Sequence, residues 1–597
     1  MTQNATPGTN SGGKPSQRPA AGGQSAEAQH KEAVRRAPQD GPVLNAYGTF
    51  LIAQGRYEEA EPLVKRAYGI APENTQVLNN LGCLLQKRGR MAEAEKFFVQ
   101  SLRLNPAWPV AHVNLGLLLL ETGRNAFAER AFRHAVKMDA KSAADWKSLS
   151  QAHQKLNNNA EEMECLQRSL ALDPHDESLW VRLIGFLEAT SRIEEAEAAV
   201  ESATAHFPDC PGIVIYEAKL LDRRGKPDDA LAAMQKCYDA MQTSAQQNHP
   251  FFGAFFAELG KLHDRAGNVD QAFFFFTKKN ANRAAYPKAR AMDKTLLTKE
   301  INYIRDRFTA EQGRTPGAPA MGVEAPVFLV GFPRSGTTLL EQVISSHPGA
   351  RVSEELPAVD RIAHKIRRQA GQELLDSLSF PASSGPSYPS CLLPVNNAEI
   401  ESLRQIFFTE HGAAAPGKIL VDKHPLNILH AGLIARVFPD AKFILALRHP
   451  CDSVLSCFMQ WFAINPAMVR FLDLEDAARF YDEAFGLWEH YTKVLNLNVH
   501  TIYYEDVVAD FQPTVAALLQ FLGLEWTDAV LEFDKTAREK GRIKTPSYTQ
   551  VTQKIYTRAS GRWLRYRDHM KSVLPILQPH ALKHGYSMED DVIKAEK

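Results

Sequence analysis

The residues that most clearly suggest chemistry form a glycine-bounded loop in the second half of the chain. Residues 327–330 are apolar, and a loop from Gly331 to Gly336 separates them from Thr337 and a second apolar pattern. Four apolar residues in a row predict a buried strand, and the spacing of the later ones predicts a helix. Because N–H groups at the start of such a helix bind anions, the sequence predicts a phosphate-binding loop.

This loop departs at one position from the P-loop of nucleoside triphosphatases. The spacing Gly331-x4-Gly336-x-Thr338 fits that pattern, but Thr337 stands where a lysine is expected. That lysine normally contacts the β- and γ-phosphates. Its absence argues against a nucleoside kinase and favours a nucleotide with a different tail. The cation that the loop itself supplies is Arg334.

Residues 333–339, Pro-Arg-Ser-Gly-Thr-Thr-Leu, resemble the 5′-phosphosulfate loop of sulfotransferases. The continuation through Glu354-Glu355 is similar to the tyrosylprotein sulfotransferase branch of that family. The resemblance implies 3′-phosphoadenylyl sulfate (PAPS) as co-substrate and no metal ion. It assigns the phosphosulfate group to Pro333, Arg334, Ser335, Gly336, Thr337 and Thr338.

The same resemblance implies four catalytic residues. Glu355 lies 21 residues after Arg334, the spacing of the family's catalytic glutamate, and is expected to accept the proton of a hydroxyl acceptor. Lys423 matches the lysine that assists the leaving group, and Arg334 is expected to stabilise the bridging oxygen. Ser547 matches a serine that reaches the phosphosulfate.

Glu354 and His424 are rivals for the role of base. Side chains alternate along an extended segment, so one of Glu354 and Glu355 is expected to point toward the site. The alternative is that both are surface acids. His424 directly follows Lys423, and alternation places the two on opposite faces. We therefore interpret His424 as structural.

By resemblance, Arg448, Ser456 and Arg562 hold the 3′-phosphate that distinguishes PAPS. Arginine suits this role because its guanidinium binds phosphate through two parallel hydrogen bonds. Tyrosylprotein members of the family carry a further arginine four residues after the serine. This chain has Gln460 there, so the site is either weaker or completed from elsewhere.

Two further nucleotide contacts are implied. Tyr504 begins a Tyr-Glu-Asp turn that lies near the adenine in the family, and an aromatic ring can stack on a base. A tyrosine packed in the core is the alternative. Gln550 belongs, with Ser547, to a segment that resembles the family's Ser-x-x-Gln-Val sequence.

The acceptor is less well defined. A protein tyrosine is one candidate, and a glycan or lipid hydroxyl is another. Tyrosylprotein enzymes have an arginine two residues after the Glu-Glu pair, where this chain has Pro357, although Arg361 occupies a later arginine position. Half of an acidic-peptide clamp is therefore missing.

The elements that precede this region form a repeat. Prolines and small residues recur 34 positions apart over residues 41–280, as in Pro72, Pro106, Ala140, Pro174 and Pro208. The period resembles the tetratricopeptide (TPR) repeat, in which small residues let paired helices approach closely. A TPR array implies a protein partner or self-association. Residues 1–40 are rich in Gly, Ser, Gln and Pro and are predicted to be a disordered tail.

The second domain is predicted over residues 325–590, after a helix and Pro/Gly linker at 281–324. Four apolar runs, at 327–330, 418–421, 443–447 and 499–503, alternate with helical patterns. The fold class is therefore an all-α TPR superhelix followed by a P-loop-type α/β sulfotransferase domain with a parallel sheet. An irregular insert at 378–398 is interpreted as a surface loop, with a lid as the alternative.

Composition excludes several classes of function. Lys and Arg together number 69, as do Asp and Glu, so the balanced charge gives no support for nucleic-acid or membrane-surface binding. The seven cysteines show neither zinc-site nor disulfide spacing. No run of 18 apolar residues predicts a membrane span, and the N-terminus lacks the pattern of a secretory signal. We therefore expect a cytoplasmic location.

These patterns favour a PAPS-dependent sulfotransferase with a TPR array that recruits a protein or substrate. The alternative is a TPR scaffold carrying a nucleotide-binding domain that does no chemistry.

Overall fold

The computed structural model describes residues 22–122, 124–156, 158–243, 251–311, 325–369, 397–412, 417–534 and 560–589 of the chain. The chain forms two compact units. The first comprises Met1–Leu220 with Cys237–Phe251, and the second comprises Leu221–Lys236 with Phe252–Lys597. The last pair of repeat helices, within 252–284, therefore belongs to the same unit as the predicted α/β domain.

The first part of the chain is a series of helices joined by short turns. They are α1 Gly22–Arg36, α2 Gly41–Ala53, α3 Tyr57–Ile70, α4 Thr75–Lys87, α5 Met91–Leu104, α6 Pro109–Glu121, α7 Asn125–Ala135, α8 Ala143–Leu156, α9 Asn159–Leu172, α10 Glu177–Ala189, α11 Ile193–His206, α12 Pro211–Arg223 and α13 Pro227–Thr243.

Small residues lie where the helices of a pair cross, as the repeat predicts. A Cβ atom added to Gly82 of α4 would lie 2.6 Å from the ring of Phe98 on α5, and Gly116 meets Phe132 in the same way. These separations are below ordinary van der Waals contact, so no larger residue fits without moving the partner ring. The 34-residue period therefore reflects a repeated steric requirement.

The structure corrects the prediction of a disordered tail for residues 22–36, which form α1. Glu27 of this helix forms ion pairs with Arg56 and Lys31, both at 2.8 Å, and it accepts a hydrogen bond from Tyr47. Helix α1 also packs through Val34 and His30, but the low apolar content of the tail did not reveal it. Residues 1–21 lie outside the described residues.

The second unit contains the remaining helices. These are α14 Phe252–Arg265, α15 Val269–Ala284, α16 Pro287–Arg290, α17 Thr295–Arg307, α18 Thr337–Ser345, α19 Ala358–Gln369, α20 Asn397–His411, α21 Ala431–Val437, α22 Pro450–Met459, α23 Leu474–Val494, α24 Tyr504–Ala509, α25 Phe511–Leu522, α26 Arg562–Arg565 and α27 Leu574–Lys583. Short 3-10 helices span Pro425–His430, Met468–Leu472 and Asp528–Glu532.

The described strands form one parallel sheet. They are β1 Val327–Gly331, β2 Ala350–Glu354, β3 Ile419–Lys423, β4 Lys442–Leu447 and β5 Asn498–Tyr503, in the order β2-β3-β1-β4-β5. Strand β2 was not predicted, because its sequence Ala-Arg-Val-Ser-Glu has no apolar run and it lies at the edge of the sheet. The parallel α/β class predicted from the sequence is confirmed.

The two faces of β1 pack into different apolar cores. Phe328 and Val330 face a large cluster that includes residues of α19 to α23. Val327 and Leu329 face a smaller cluster formed with α18 and α25. Because both faces are covered, polar chemistry is confined to the strand ends, and the carboxyl ends of β3, β1 and β4 lie side by side.

Helix α15 packs on elements near the sheet of the second unit through a run of phenylalanines, residues 273–276. Phe275 and Phe276 are buried, and Phe273 stacks on Phe458 with ring centroids 5.3 Å apart. Phe274 is the exception, with 45% of its surface exposed. Across the described ranges, no helix has the length and apolar character needed to cross a membrane.

Candidate active site

The predicted phosphate loop lies between the end of β1 and the start of α18. Gly336 caps α18 in the left-handed region at φ 96°, and no side chain of the described residues caps the helix. Its first N–H groups are therefore available to an anion. Ser335 is buried, and its hydroxyl has no hydrogen-bond partner among the described residues. A buried hydroxyl beside an uncapped helix start fits the phosphate end of a nucleotide.

A buried lysine connects two carboxylates beside this loop. The Nζ atom of Lys423, at the end of β3, lies 2.9 Å from Glu355 and 3.0 Å from Glu341. Lys423 and Glu341 are almost fully buried, whereas 45% of the Glu355 side chain is exposed. Burial lowers the pKa of Lys423, but the two carboxylates outweigh it and hold the pKa above its usual value. The ammonium group is therefore charged at neutral pH.

Two of the predicted catalytic residues have strained backbones. Among the described residues, positive φ angles outside glycine occur at Ser191, Arg334 and Glu355, with φ of 59°, 72° and 35°. Ser191 follows helix α10 at the position where other repeats have glycine, such as Gly55. Arg334 and Glu355 have no such explanation. Strain of this kind persists only where the surrounding structure enforces it, and it is concentrated at functional sites.

The positive φ of Glu355 gives it a different position from Glu354, the other candidate base in this segment. Glu354 is the last residue of β2 and pairs in register with Lys423. Glu355 then donates its backbone N–H to the carbonyl of Lys423 at 2.9 Å, while its side chain contacts the Lys423 ammonium group. The contact with Lys423 thus distinguishes Glu355 from Glu354. The positive φ of Glu355 accompanies the turn of its side chain toward the lysine.

His424 follows the end of β3 and begins the 3-10 helix Pro425–His430. Burial raises the pKa of the Asp360 carboxyl group of α19, but nearby His430, and to a smaller extent His424, hold that pKa below its usual value. Lys423 instead contacts Glu341 of α18. The two neighbours thus interact with helices on opposite faces of the sheet, as the alternation predicts.

The second set of predicted residues lies at the end of β4. Arg448 donates to the carbonyl oxygen of Arg334 at 3.2 Å and lies 3.6 Å from the Asp452 carboxylate. Burial lowers the pKa of Arg448, and Asp452 is the main group that raises it above its usual value. Ser456, one turn further along α22, accepts a hydrogen bond from Nε of Arg334 at 3.1 Å. The structure thus brings Arg334, Arg448 and Ser456 together.

Tyr504 lies against the phosphate loop, at the start of α24. Its ring would be 2.8 Å from a Cβ atom at Gly336, so a larger residue at Gly336 would displace it. The Arg448 guanidinium group lies 5.0 Å from the centre of the same ring. The half-buried ring therefore packs on the predicted phosphate loop and on Arg448, and not in the sheet core.

Three predicted contacts are less direct. Arg562 pairs with Asp264 of α14, at 2.7 Å and 3.3 Å, so its contact with a 3′-phosphate stays a prediction. Ser547 and Gln550 lie outside the described residues, as do residues 378–396 of the predicted insert. The described part of the chain contains no group of three or more His, Cys, Asp or Glu side chains arranged to hold a metal ion.

Sequence reasoning missed Glu341 and Asp452. Glu341 stands between apolar residues of a buried helix, Leu340 and Val343, and an acid in that setting signals a buried cationic partner. Asp452 lies four residues after Arg448 on α22, the spacing of a helical ion pair. Both signals are visible in the sequence, although neither indicates which cation or function is involved.

Comparisons with known proteins agree with this geometry. The sulfotransferase family model matches residues 326–528. Tetratricopeptide repeat models match residues 41–107 and, in a second version, 79–143, 113–177 and 187–245. The sulfotransferase match over residues 326–528 includes the predicted phosphate loop and the candidate residues Glu355, Lys423, Arg448, Ser456 and Tyr504.

Proteins similar to this chain occur in a bacterium and in animals. An uncharacterized protein of Aquifex aeolicus (strain VF5) is 26% identical over 71% of this chain, and the match spans 53% of that protein. Protein-tyrosine sulfotransferase 1 of Danio rerio is 26% identical over 45% of this chain and 76% of its own length. The Drosophila melanogaster protein-tyrosine sulfotransferase is 25% identical over 40% of this chain and 46% of its own length. These matches support a sulfotransferase enzyme, and the chain combines a sulfotransferase-family domain with tetratricopeptide repeats.

Proposed function

We propose that this protein transfers a sulfuryl group from PAPS to a hydroxyl acceptor. The observation that carries the proposal is the placement of Glu355, Lys423 and Arg334 at neighbouring strand ends, with Glu355 and Lys423 in direct contact. Sulfuryl transfer requires a proton acceptor for the hydroxyl group and positive charge near the leaving oxygen. The described residues supply both.

Each residue has a distinct role in this proposal. Glu355 accepts the proton, and its partly exposed carboxylate allows an acceptor to reach it. Lys423 lies 3.0 Å from Glu341 and 2.9 Å from Glu355, and its positive charge is proposed to act on an oxygen of the sulfuryl donor. The start of α18 and Ser335 hold the phosphosulfate group, and Arg334 stabilises the bridging oxygen.

The nucleotide is proposed to be PAPS because Arg448 and Ser456 lie beside a loop that has no P-loop lysine. Arg448 is buried, charged and fixed by Asp452 and the Arg334 carbonyl, so it is preorganised for a phosphate. Tyr504 is proposed to contact the adenine. In the resemblance that supports this assignment, Ser547, Gln550 and Arg562 complete the site.

A direct test uses the full-length chain with adenosine 3′,5′-bisphosphate and no metal. We expect the bisphosphate to raise the melting temperature, because a ligand that binds only the folded state stabilises it. Stabilisation by ATP with Mg²⁺ and none by the bisphosphate would refute the assignment. Turnover of PAPS, absent in Lys423→Ala, would exclude the alternative of a non-catalytic nucleotide-binding scaffold.

The acceptor is proposed to be a hydroxyl group of a protein tyrosine, glycan or lipid. Asp360 and Arg361, shortly after Glu355, line a cavity of about 780 Å³ with His430. Arg361 also pairs with Glu410, so the remaining arginine of the expected acidic-peptide clamp has an acidic partner of its own. Labelled PAPS incubated with a lysate would show whether label stays with protein or extracts with glycan or lipid. The TPR array is proposed to recruit a protein, and the cytoplasmic location stays a prediction.

A further inference from the structure

The α14–α15 hairpin carries several buried charged side chains. Asp264 is 9% exposed and Lys279 is fully buried. Both lie within the second compact unit, and both contact segments beside Arg448 and Ser456. Buried charges are retained only where they are paired and hydrogen-bonded, so the partners of these two residues indicate what the hairpin does.

Asp264 holds a segment near the C-terminus that we call the arm, residues 560–566. Its carboxylate accepts hydrogen bonds from Arg562, Arg565 and the Tyr566 hydroxyl, which lies at 2.6 Å. Three side chains within five residues thus depend on one carboxylate. The position of the arm is therefore sensitive to Asp264.

The arm in turn fixes the partner of Arg448. The backbone N–H groups of Gly561 and Trp563 donate to the two oxygens of Asp452, at 2.8 Å and 2.9 Å. The side chain of Asp452 is fully buried and lies 3.6 Å from Arg448. If the arm withdrew, Asp452 would lose both donors and turn fully to Arg448, because a buried carboxylate cannot remain unsatisfied. Arg448 would then be less available to a phosphate.

The hairpin also holds the far end of the helix that carries Ser456. Lys279 donates to the carbonyl oxygens of Phe458 and Gln460, at 2.8 Å and 2.9 Å, and Asn280 donates to Phe458 at 3.0 Å. These carbonyls end α22, where side-chain N–H donors satisfy acceptors that the helix leaves unpaired, and burial lowers the pKa of Lys279 well below its usual value. The hairpin therefore contacts both the arm and α22.

We propose that Asp264 is a positioning residue for the 3′-phosphate site. It holds the arm so that Asp452 is shared between two backbone N–H groups and Arg448, which leaves Arg448 able to bind phosphate. The last repeat pair is then part of the nucleotide site as well as of the helical array. This inference rests on the proposed function, because it assigns the 3′-phosphate of the nucleotide to Arg448.

The test compares two nucleotides in calorimetric titrations of the full-length chain. Adenosine 3′,5′-bisphosphate carries the group in question, and adenosine 5′-monophosphate lacks it. We expect Asp264→Asn to weaken bisphosphate binding roughly 10-fold, the scale of one charge-assisted hydrogen bond, and to change monophosphate binding by less than about 2-fold. The selectivity ratio is informative because a general loss of structure would weaken both.

Asp270→Asn is the matched control. Asp270 begins α15 and pairs with His569 at 2.7 Å, but it is 93% exposed, and His569 lies beyond the arm. We expect wild-type affinity for both nucleotides. Should Asp264→Asn fail to fold, Tyr566→Phe removes one of the bonds to Asp264 and is expected to weaken bisphosphate binding alone by roughly 3-fold.

The outcomes separate this inference from the proposed function. If wild-type protein binds neither nucleotide, or binds both equally, the proposed 3′-phosphate site fails and the inference fails with it. If wild-type protein prefers the bisphosphate and Asp264→Asn keeps that preference, this inference alone is overturned. Tighter bisphosphate binding by Asp264→Asn would also overturn it, because Asp264 would then be withholding Arg562 from the phosphate.

Discussion

On the β3 side of the phosphate loop, a partly exposed carboxylate pairs with a buried lysine, whereas on the β4 side both charged groups of the ion pair are buried. Glu355 has 45% of its side chain exposed and a strained backbone. Arg448 has 7% of its side chain exposed and is held by Asp452 and a loop carbonyl. An exposed, strained group suits a residue that meets a changing acceptor, while a buried, fixed one suits a constant part of a nucleotide.

This difference predicts a separation in kinetics. Changes on the β3 side are expected to lower kcat with little effect on nucleotide affinity, because those residues are proposed to act on groups that change charge during the reaction. Changes on the β4 side are expected to weaken nucleotide binding with a smaller effect on kcat. The predictions below test that separation, beginning with the largest expected effect.

The first prediction concerns the proposed base. Glu355→Gln keeps the size of the side chain but removes the proton acceptor, so we expect kcat to fall roughly 100-fold or more. Affinity for adenosine 3′,5′-bisphosphate, measured by titration, should be nearly unchanged. Glu354→Gln is the matched control and should keep activity. If Glu354→Gln or His424→Ala is inactive and Glu355→Gln is not, the assignment of the base is wrong, although sulfotransfer itself is not excluded.

The second prediction concerns the buried arginine of the β4 side. Arg448→Lys keeps the charge but loses the bidentate geometry, so we expect bisphosphate affinity to fall roughly 30-fold. Adenosine 5′-monophosphate should bind nearly as before, and kcat at saturating PAPS should change little. Arg479→Lys, at an exposed ion pair with Glu475 in the same unit, serves as control. A large fall in kcat with unchanged affinity would contradict the separation of the two sides.

The third prediction concerns Glu341 of α18, which forms a buried ion pair with Lys423. Glu341 helps to raise the pKa of Lys423, so Glu341→Gln should lower that pKa. Lys423 then loses its proton at lower pH, and the alkaline limb of the kcat/KM profile should shift to lower pH. At neutral pH we expect kcat to fall roughly 10-fold, because the ammonium group is also less firmly held. A lower melting temperature with an unmoved profile would show that Glu341 has only a structural role.

Features of this site that depend on neighbouring residues in the sequence can be predicted, whereas those that depend on residues far apart in the sequence cannot. The phosphate loop is contiguous, so its strand, turn and helix follow from local spacing, and the structure has them at Val327–Gly331 and Thr337–Ser345. The parallel sheet also follows, because buried strands are apolar runs. Strand β2 does not, since it is short, polar and formed by pairing with β3.

Contacts between distant segments could not be derived from local patterns. The bond from Lys423 to Glu341 joins β3 to α18, and that from Asp264 to Arg562 spans 298 positions. Nothing near Asp264 in the sequence specifies its partner. The positive φ of Glu355 was also not predicted, because glutamate rarely adopts it and only the surrounding fold imposes it.

The smallest effect is expected for a change at Ser456, which connects the β4 side to the phosphate loop. Ser456 belongs to α22 on the β4 side, yet its hydroxyl accepts from Arg334 of the phosphate loop at 3.1 Å. Ser456→Ala removes that acceptor, and we expect roughly 5-fold losses in both bisphosphate affinity and kcat, since one hydrogen bond orients a group that serves binding and chemistry.

Ser453→Ala is the matched control for this change. Ser453 lies one turn earlier on the same helix and is also buried, and its hydroxyl has no hydrogen-bond partner among the described residues. It should therefore keep wild-type values. A Ser456→Ala variant that loses affinity but keeps kcat would show that the β4 side acts on binding alone. Parallel losses in both quantities would show that the two sides are coupled, because Ser456 contacts Arg334, which is proposed to act on the bridging oxygen.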